Sequence, residues 1–157
     1  MARRYGRCLV GQRCASAIPH GHWQTSTFIA ALRHEKIDAP FLIEGAVDAD
    51  VFTAYLQHVL CPQLSHGDIV ILDNLSTHKI QNVSKLLATR GASLRYLPPY
   101  SPDLNPIELA FSKLKAHLRQ AAARTLDDLQ AALAESLKSF TPHHCLAFFR
   151  HAQYASI

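Results

Sequence analysis

Long apolar runs are absent from this sequence. None approaches the ~20 residues that a membrane-crossing helix needs, so the sequence offers no membrane span. The basic start, Met-Ala-Arg-Arg-Tyr-Gly-Arg, is not followed by an apolar core, which argues against a secretory signal and for a cytoplasmic protein. Cysteine is scarce. The four cysteines, Cys8, Cys14, Cys61 and Cys145, form no CxxC pair. They read as free thiols in a reducing compartment, with Cys61 and Cys145 packed in helices. The histidine pairs His20/His22 and His143/His144 lack a second pair at zinc spacing, which argues against a structural zinc. Internal repeats and low-complexity tracts are also missing. Charged residues make up only 18% against 48% apolar, which excludes a disordered chain.

What is present is enough for one globular domain of 157 residues. Residues 24–33 and 40–44 read as strands, the second ending at Gly45. Asp48 caps a helix bearing Val51, Phe52, Tyr55, Leu56, Val59 and Leu60, ended by Pro62. Ile69-Val70-Ile71-Leu72 is a continuous apolar run, as in a strand buried on both faces. A helix over 78–90 stops at Gly91, and a short strand covers 93–97. Helices then run from Pro106 to about Gln120, from Thr125 to about Phe140, and onward from Thr141-Pro142. Strand, strand, helix, strand, helix, strand and helices in that order predict an α/β domain with a mixed sheet.

Two carboxylates stand out. Asp73 ends the buried strand, and sites in α/β sheets form at the carboxyl ends of strands. A surface acid at a strand corner would look the same. Glu108 sits in the first turn of the helix at Pro106. With Asn105 as cap it also matches a capping box. Capping does not explain why the loop before it is so stiff, with prolines at 98, 99 and 102. The intervening strand, loop and helix can bring both acids to one sheet edge. Carboxylates that close repel unless a cation lies between them, and oxygen ligands suit Mg²⁺. The formal net charge of +4 fits a polyanionic partner. Its basic residues cluster at Arg3, Arg4, Arg7 and Arg13 and again at Lys113, Lys115, Arg119 and Arg124.

Asp73-Asn74-Leu75-Ser76-Thr77-His78-Lys79 and Leu97-Pro98-Pro99-Tyr100-Ser101-Pro102-Asp103-Leu104-Asn105-Pro106-Ile107-Glu108 resemble the second and third catalytic motifs of mariner-like DDE transposases, most of all the bacterial insertion-sequence branch. The resemblance covers roughly residues 10–150. It implies a ribonuclease H-like mixed sheet flanked by helices, two Mg²⁺ or Mn²⁺ ions in the intact enzyme, and cut-and-paste DNA transposition. It implies metal ligation by Asp73 and Glu108 and positioning roles for Asn74, His78 and Asn105. His78 can equally be a locally bonded helix-start residue. Lys79, Lys113, Lys115 and Arg119 become candidate DNA contacts. Trp23 reads as a packing residue.

The family pattern also places a first catalytic Asp on the first strand, preceded by a helix-turn-helix region, and no acid here matches it. The expectation is a single catalytic domain over 1–157, truncated at its N-terminus and lacking that first strand. Residues 5–10 could fill part of the resulting gap in the sheet. Such a fragment would cleave DNA poorly alone and would associate through an exposed inner edge. Its partners would be transposon ends, target DNA, further copies or an upstream transposase fragment. A non-catalytic regulator that binds DNA or transposase is the rival reading. A nuclease acting on RNA–DNA hybrids fits the proline-rich motif less well.

Overall fold

The computed structural model describes residues 7–15, 25–73 and 83–154. Strand β1 (Ser26–Leu32) pairs antiparallel with β2 (Ile37–Glu44). Their register slips between Ile29 and Ala31, where β2 carries an extra residue. The slip falls at Ala39, which adopts φ 49°, and Pro40, which has no N–H to offer a ladder. The Ala39 carbonyl instead accepts a 2.9 Å bond from the Tyr55 hydroxyl.

Helix α1 (Ala49–Tyr55) starts at Asp48, whose carboxylate accepts from Val51 N at 2.9 Å. The helix continues in wider turns over Leu56–Leu60 and tightens over Cys61–Gln63, around Pro62. Strand β3 (Ile69–Leu72) pairs in parallel with β4 (Ser93–Tyr96). Helix α2 (Val83–Ala88) leads into β4 through Gly91 at φ 70°. There Gly91 N donates to Ala88 O and Ala92 N to Leu87 O, which together satisfy the orphan carbonyls of the helix end.

Three helices follow: α3 (Pro106–Ala121), α4 (Leu126–Lys138) and α5 (Pro142–His151). The caps of the last two are the ones the sequence indicates. Thr125 forms a reciprocal box with Asp128, and Thr141 accepts from His144 N. Thr125→Ala is expected to remove about 1 kcal/mol of stability. A melting temperature lower by about 2–4 °C in differential scanning calorimetry would register it.

The elements form three layers. On one face of β1–β2, Ile29 and Phe41 pack on a core of Phe52, Tyr55, Leu56 and Leu60 from α1 and its extension, joined by Val83 and Leu87 of α2. On the other face, Phe28, Leu32 and Leu42 pack on Ala110, Leu114, Leu133 and Cys145 from α3, α4 and α5. Burial raises the pKa of both the Cys61 and the Cys145 thiol, so both stay protonated.

Among the described residues the strands form two separate two-stranded sheets, as expected of a mixed sheet without its first strand. One expectation needs correction: the apolar run of β3 is not buried on both faces. Val70 and Leu72 pack into the core, but Ile69 is 61% and Ile71 39% exposed. Side chains alternate between the two faces of a strand, and the face that carries Ile69 and Ile71 is covered less than the one that carries Val70 and Leu72.

Candidate active site

Asp73 follows the last residue of β3 directly, and the pairing with β4 extends to this point through Leu97 N to Leu72 O at 2.9 Å. The chain beyond β4 then turns through the proline-rich loop. Ser101 Oγ donates to Pro99 O, and a single tight turn spans Pro102–Leu104. Tyr100 stands at φ 57° and is fully exposed. Tyr154, just past α5, donates its hydroxyl to Leu104 O at 3.1 Å and so holds the loop where it enters α3. Glu108 is the third residue of that helix.

The result is convergence. Asp73, Asn105, Pro106 and Glu108 all line one cavity of about 420 Å³. One oxygen of Asp73, Oδ1, is shielded from solvent, whereas Glu108 is exposed. Asp68 lines the same cavity, but it precedes β3 while Asp73 follows it. Asp68 is engaged by Arg33, whose guanidinium bonds Oδ1 at 3.2 Å and Oδ2 at 2.6 Å. These bonds hold the Asp68 carboxyl below its usual range. Among the described residues, no three His, Cys, Asp or Glu side chains cluster as a metal cage.

The capping box expected at Asn105 and Glu108 does not form. Asn105 does precede α3, but its side chain makes no capping bond. The Glu108 N–H instead donates to the Asn105 carbonyl at 3.1 Å. Glu108 is therefore not explained by capping.

The basic candidates separate by helical face. Lys115 and Arg119 follow Glu108 at i+7 and i+11, about two and about three turns on, so they share its face. All three are exposed. They stand roughly 10 and 16 Å along the helix axis from Glu108. Lys113 falls on another face and is occupied. Its ammonium bonds Ser139 O at 3.0 Å and His144 Nδ1 at 2.8 Å, and lies 4.7 Å from the centre of the Phe140 ring. Lys113 thereby ties α3 to the α4–α5 junction. Asn74, His78, Lys79 and Trp23 lie outside the described residues.

Two residues escaped sequence reasoning. Tyr154 positions the loop before Glu108, and Arg33 bridges the two sheets. A lone aromatic after the last helix and a lone arginine after a strand carry no pattern. Their partners are 50 and 35 positions away.

The comparisons with known proteins concern the fold and the family. The structure of a pre-cleavage Mos1 transpososome matches with a TM-score of 0.74 at 16% identity, covering 98% of this chain and 50% of that one. The Mos1 strand transfer complex matches at 0.67 and 18%, covering 97% and 46%. The Mos1 mariner paired-end complex with Mn matches at 0.66 and 20%, covering 98% and 48%. The present chain thus spans about half the length of the chains it matches. It shares their ribonuclease H-like α/β fold. No curated protein matches the sequence. The family described as DDE superfamily endonuclease matches residues 1–130, and the chain therefore belongs to the DDE superfamily of endonucleases.

Proposed function

We propose that this chain is a transposase catalytic domain of the bacterial insertion-sequence type, working on DNA in the cytoplasm. The observation that carries the reading is the meeting of Asp73 and Glu108 at one cavity, below a basic stripe on the same helix face as Glu108. The two carboxylates are hard oxygen donors on different elements. They fit Mg²⁺ or Mn²⁺ as two members of a coordination shell that water and phosphate oxygens would complete. An ion held by Asp73 and Glu108 would supply activation of a water or a 3′-hydroxyl for attack on a phosphodiester and would stabilise the leaving oxygen.

The protein's own part is positioning. Asp73 is fixed by the β3–β4 pairing, and Glu108 by α3 and by the Tyr154 hydroxyl on Leu104. Lys115 and Arg119 bind the DNA backbone and aim the duplex toward Glu108. The partners are accordingly transposon ends and target DNA.

The test is duplex binding measured across salt concentrations. Lys115→Glu with Arg119→Glu is expected to weaken binding by tenfold or more and to flatten the salt dependence by about two phosphate contacts. Lys113→Gln should leave the salt slope unchanged. If the double reversal binds as wild type does, DNA does not track along α3 and this reading fails.

A further inference from the structure

Tyr100 stands apart within the proline-rich loop. Its ring is fully exposed and its backbone adopts φ 57°. A bulky residue rarely takes that left-handed conformation, because its Cβ crowds the following carbonyl. Burial of the ring does not offset the strain. Strained residues of this kind gather at ligand sites. The loop is nonetheless fixed at both ends. Leu97 N donates to Leu72 O at 2.9 Å, and Leu72 directly precedes Asp73. Tyr154 holds Leu104 O at 3.1 Å, next to Asn105 at the start of α3. Between these anchors stand Pro98, Pro99 and Pro102, while Leu104 N and Asn105 N donate to Ser101 O and Pro102 O. Three peptide links from Leu97, the Tyr100 Cα lies within about 11 Å of the Leu97 Cα. The stiff link between the strand beside Asp73 and the helix of Glu108 thus holds an aromatic ring out to solvent.

We propose that the Tyr100 ring stacks on an unpaired base of the DNA, beside the phosphodiester that reaches Asp73 and Glu108. This contact presupposes the DNA-cleaving reading above and adds the form of DNA the site takes: a duplex with a single-stranded end. Inside a duplex both faces of a base are covered by its neighbours. Only a base in an overhang, or one turned out of the helix, offers a free face to a ring. A fixed, exposed tyrosine suits that task, because stacking needs no second protein group and a stiff loop loses little entropy on binding. The order of groups along α3 fits as well. Arg119, Lys115 and Glu108 follow one another on one face towards the helix start, and the loop with Tyr100 joins the helix at that end. A duplex held by its backbone at Arg119 and Lys115 has its reacting end at Glu108, and the bases beyond that end meet the loop.

Fluorescence anisotropy with a blunt duplex, and with the same duplex carrying a short single-stranded overhang, tests the contact. Wild type is expected to bind the overhang duplex about tenfold more tightly. Tyr100→Ala should lose that preference and Tyr100→Trp should keep it. Both should bind the blunt duplex as wild type does and with the same salt slope, because no phosphate contact is removed. A 2-aminopurine placed in the overhang should be quenched by wild type and by Tyr100→Trp, and not by Tyr100→Ala. Lys115→Glu with Arg119→Glu should weaken both duplexes alike and leave their ratio unchanged. Equal binding of the two duplexes by wild type, or a preference and quenching that survive Tyr100→Ala, would overturn the stacking contact and leave the DNA reading intact. Absence of salt-dependent binding in wild type would remove both. A smaller oligomer in Tyr100→Ala by light scattering, with the overhang preference unchanged, would make the ring a protein contact instead.

Discussion

Saturable Mn²⁺ binding is expected in the wild-type chain and is expected to vanish in Asp73→Asn with Glu108→Gln. The two substitutions keep shape and remove the two negative charges that line one cavity. In the absence of a cation those charges repel each other, so the double variant should melt no lower than wild type in EDTA. The difference should appear on adding metal. At a free Mn²⁺ concentration ten times the dissociation constant, binding stabilises the folded state by about 1.4 kcal/mol. That corresponds to a melting temperature about 3–6 °C higher for a chain of this size. The double variant should show no such rise, and each single variant should bind at least tenfold more weakly than wild type. An identical rise in wild type and double variant would move the metal elsewhere and remove Asp73 and Glu108 from the site. Cleavage is a separate matter. Nicking by the purified chain that is lost on Asp73→Ala would support the site.

Arg33→Ala should be the most destabilising single change at the surface of the cavity. The guanidinium serves three partners: both oxygens of Asp68, Oδ2 of Asp38 at 3.0 Å, and the Gln63 carbonyl at 3.0 Å. Its own pKa is raised, chiefly by the bond to Asp68. Asp38 is only 8% exposed, and without Arg33 its remaining cation is Lys36, 3.2 Å away. Breaking a fully buried pair costs about 3–5 kcal/mol. The Arg33 side chain is 30% exposed, so screening lowers the figure to about 2–3 kcal/mol. The expected fall in melting temperature is roughly 5–10 °C. Arg33→Lys should recover less than half of it, because an ammonium cannot reproduce the fork. The pH dependence follows from the depressed Asp68 carboxyl. Its contribution is complete above the unfolded-state value of about 3.9 and is lost as pH falls through the lower folded-state value. Melting curves of wild type and Arg33→Ala should therefore stay apart near neutrality and draw together below about pH 4. A gap unchanged at low pH would mean that the arginine stabilises by packing and not by charge.

The local signals were legible because they are written in short stretches of chain. Asp48, Thr125 and Thr141 each bond an N–H three residues on, and Gly91 sits where a left-handed turn ends α2. The strand endings near Asp73 and the helix start near Glu108 were readable for the same reason. What depends on distant partners was not. Whether Asn105 caps α3 depends on a side-chain rotamer, and Lys113 was drawn inward by Ser139, His144 and Phe140 from two later elements.

The sequence by itself determined the order of the elements, the caps at Asp48, Thr125 and Thr141, and the pair of carboxylates at a strand end and a helix start, since each rests on periodicity or on neighbours a few residues away. Only the tertiary structure decided that Arg33 and Asp68 brace the two half-sheets and that Asp73 and Glu108 line one cavity. A strand's apolar pattern states which residues seek burial. It does not state whether a layer covers each face of the strand, and in β3 Ile69 and Ile71 stay exposed.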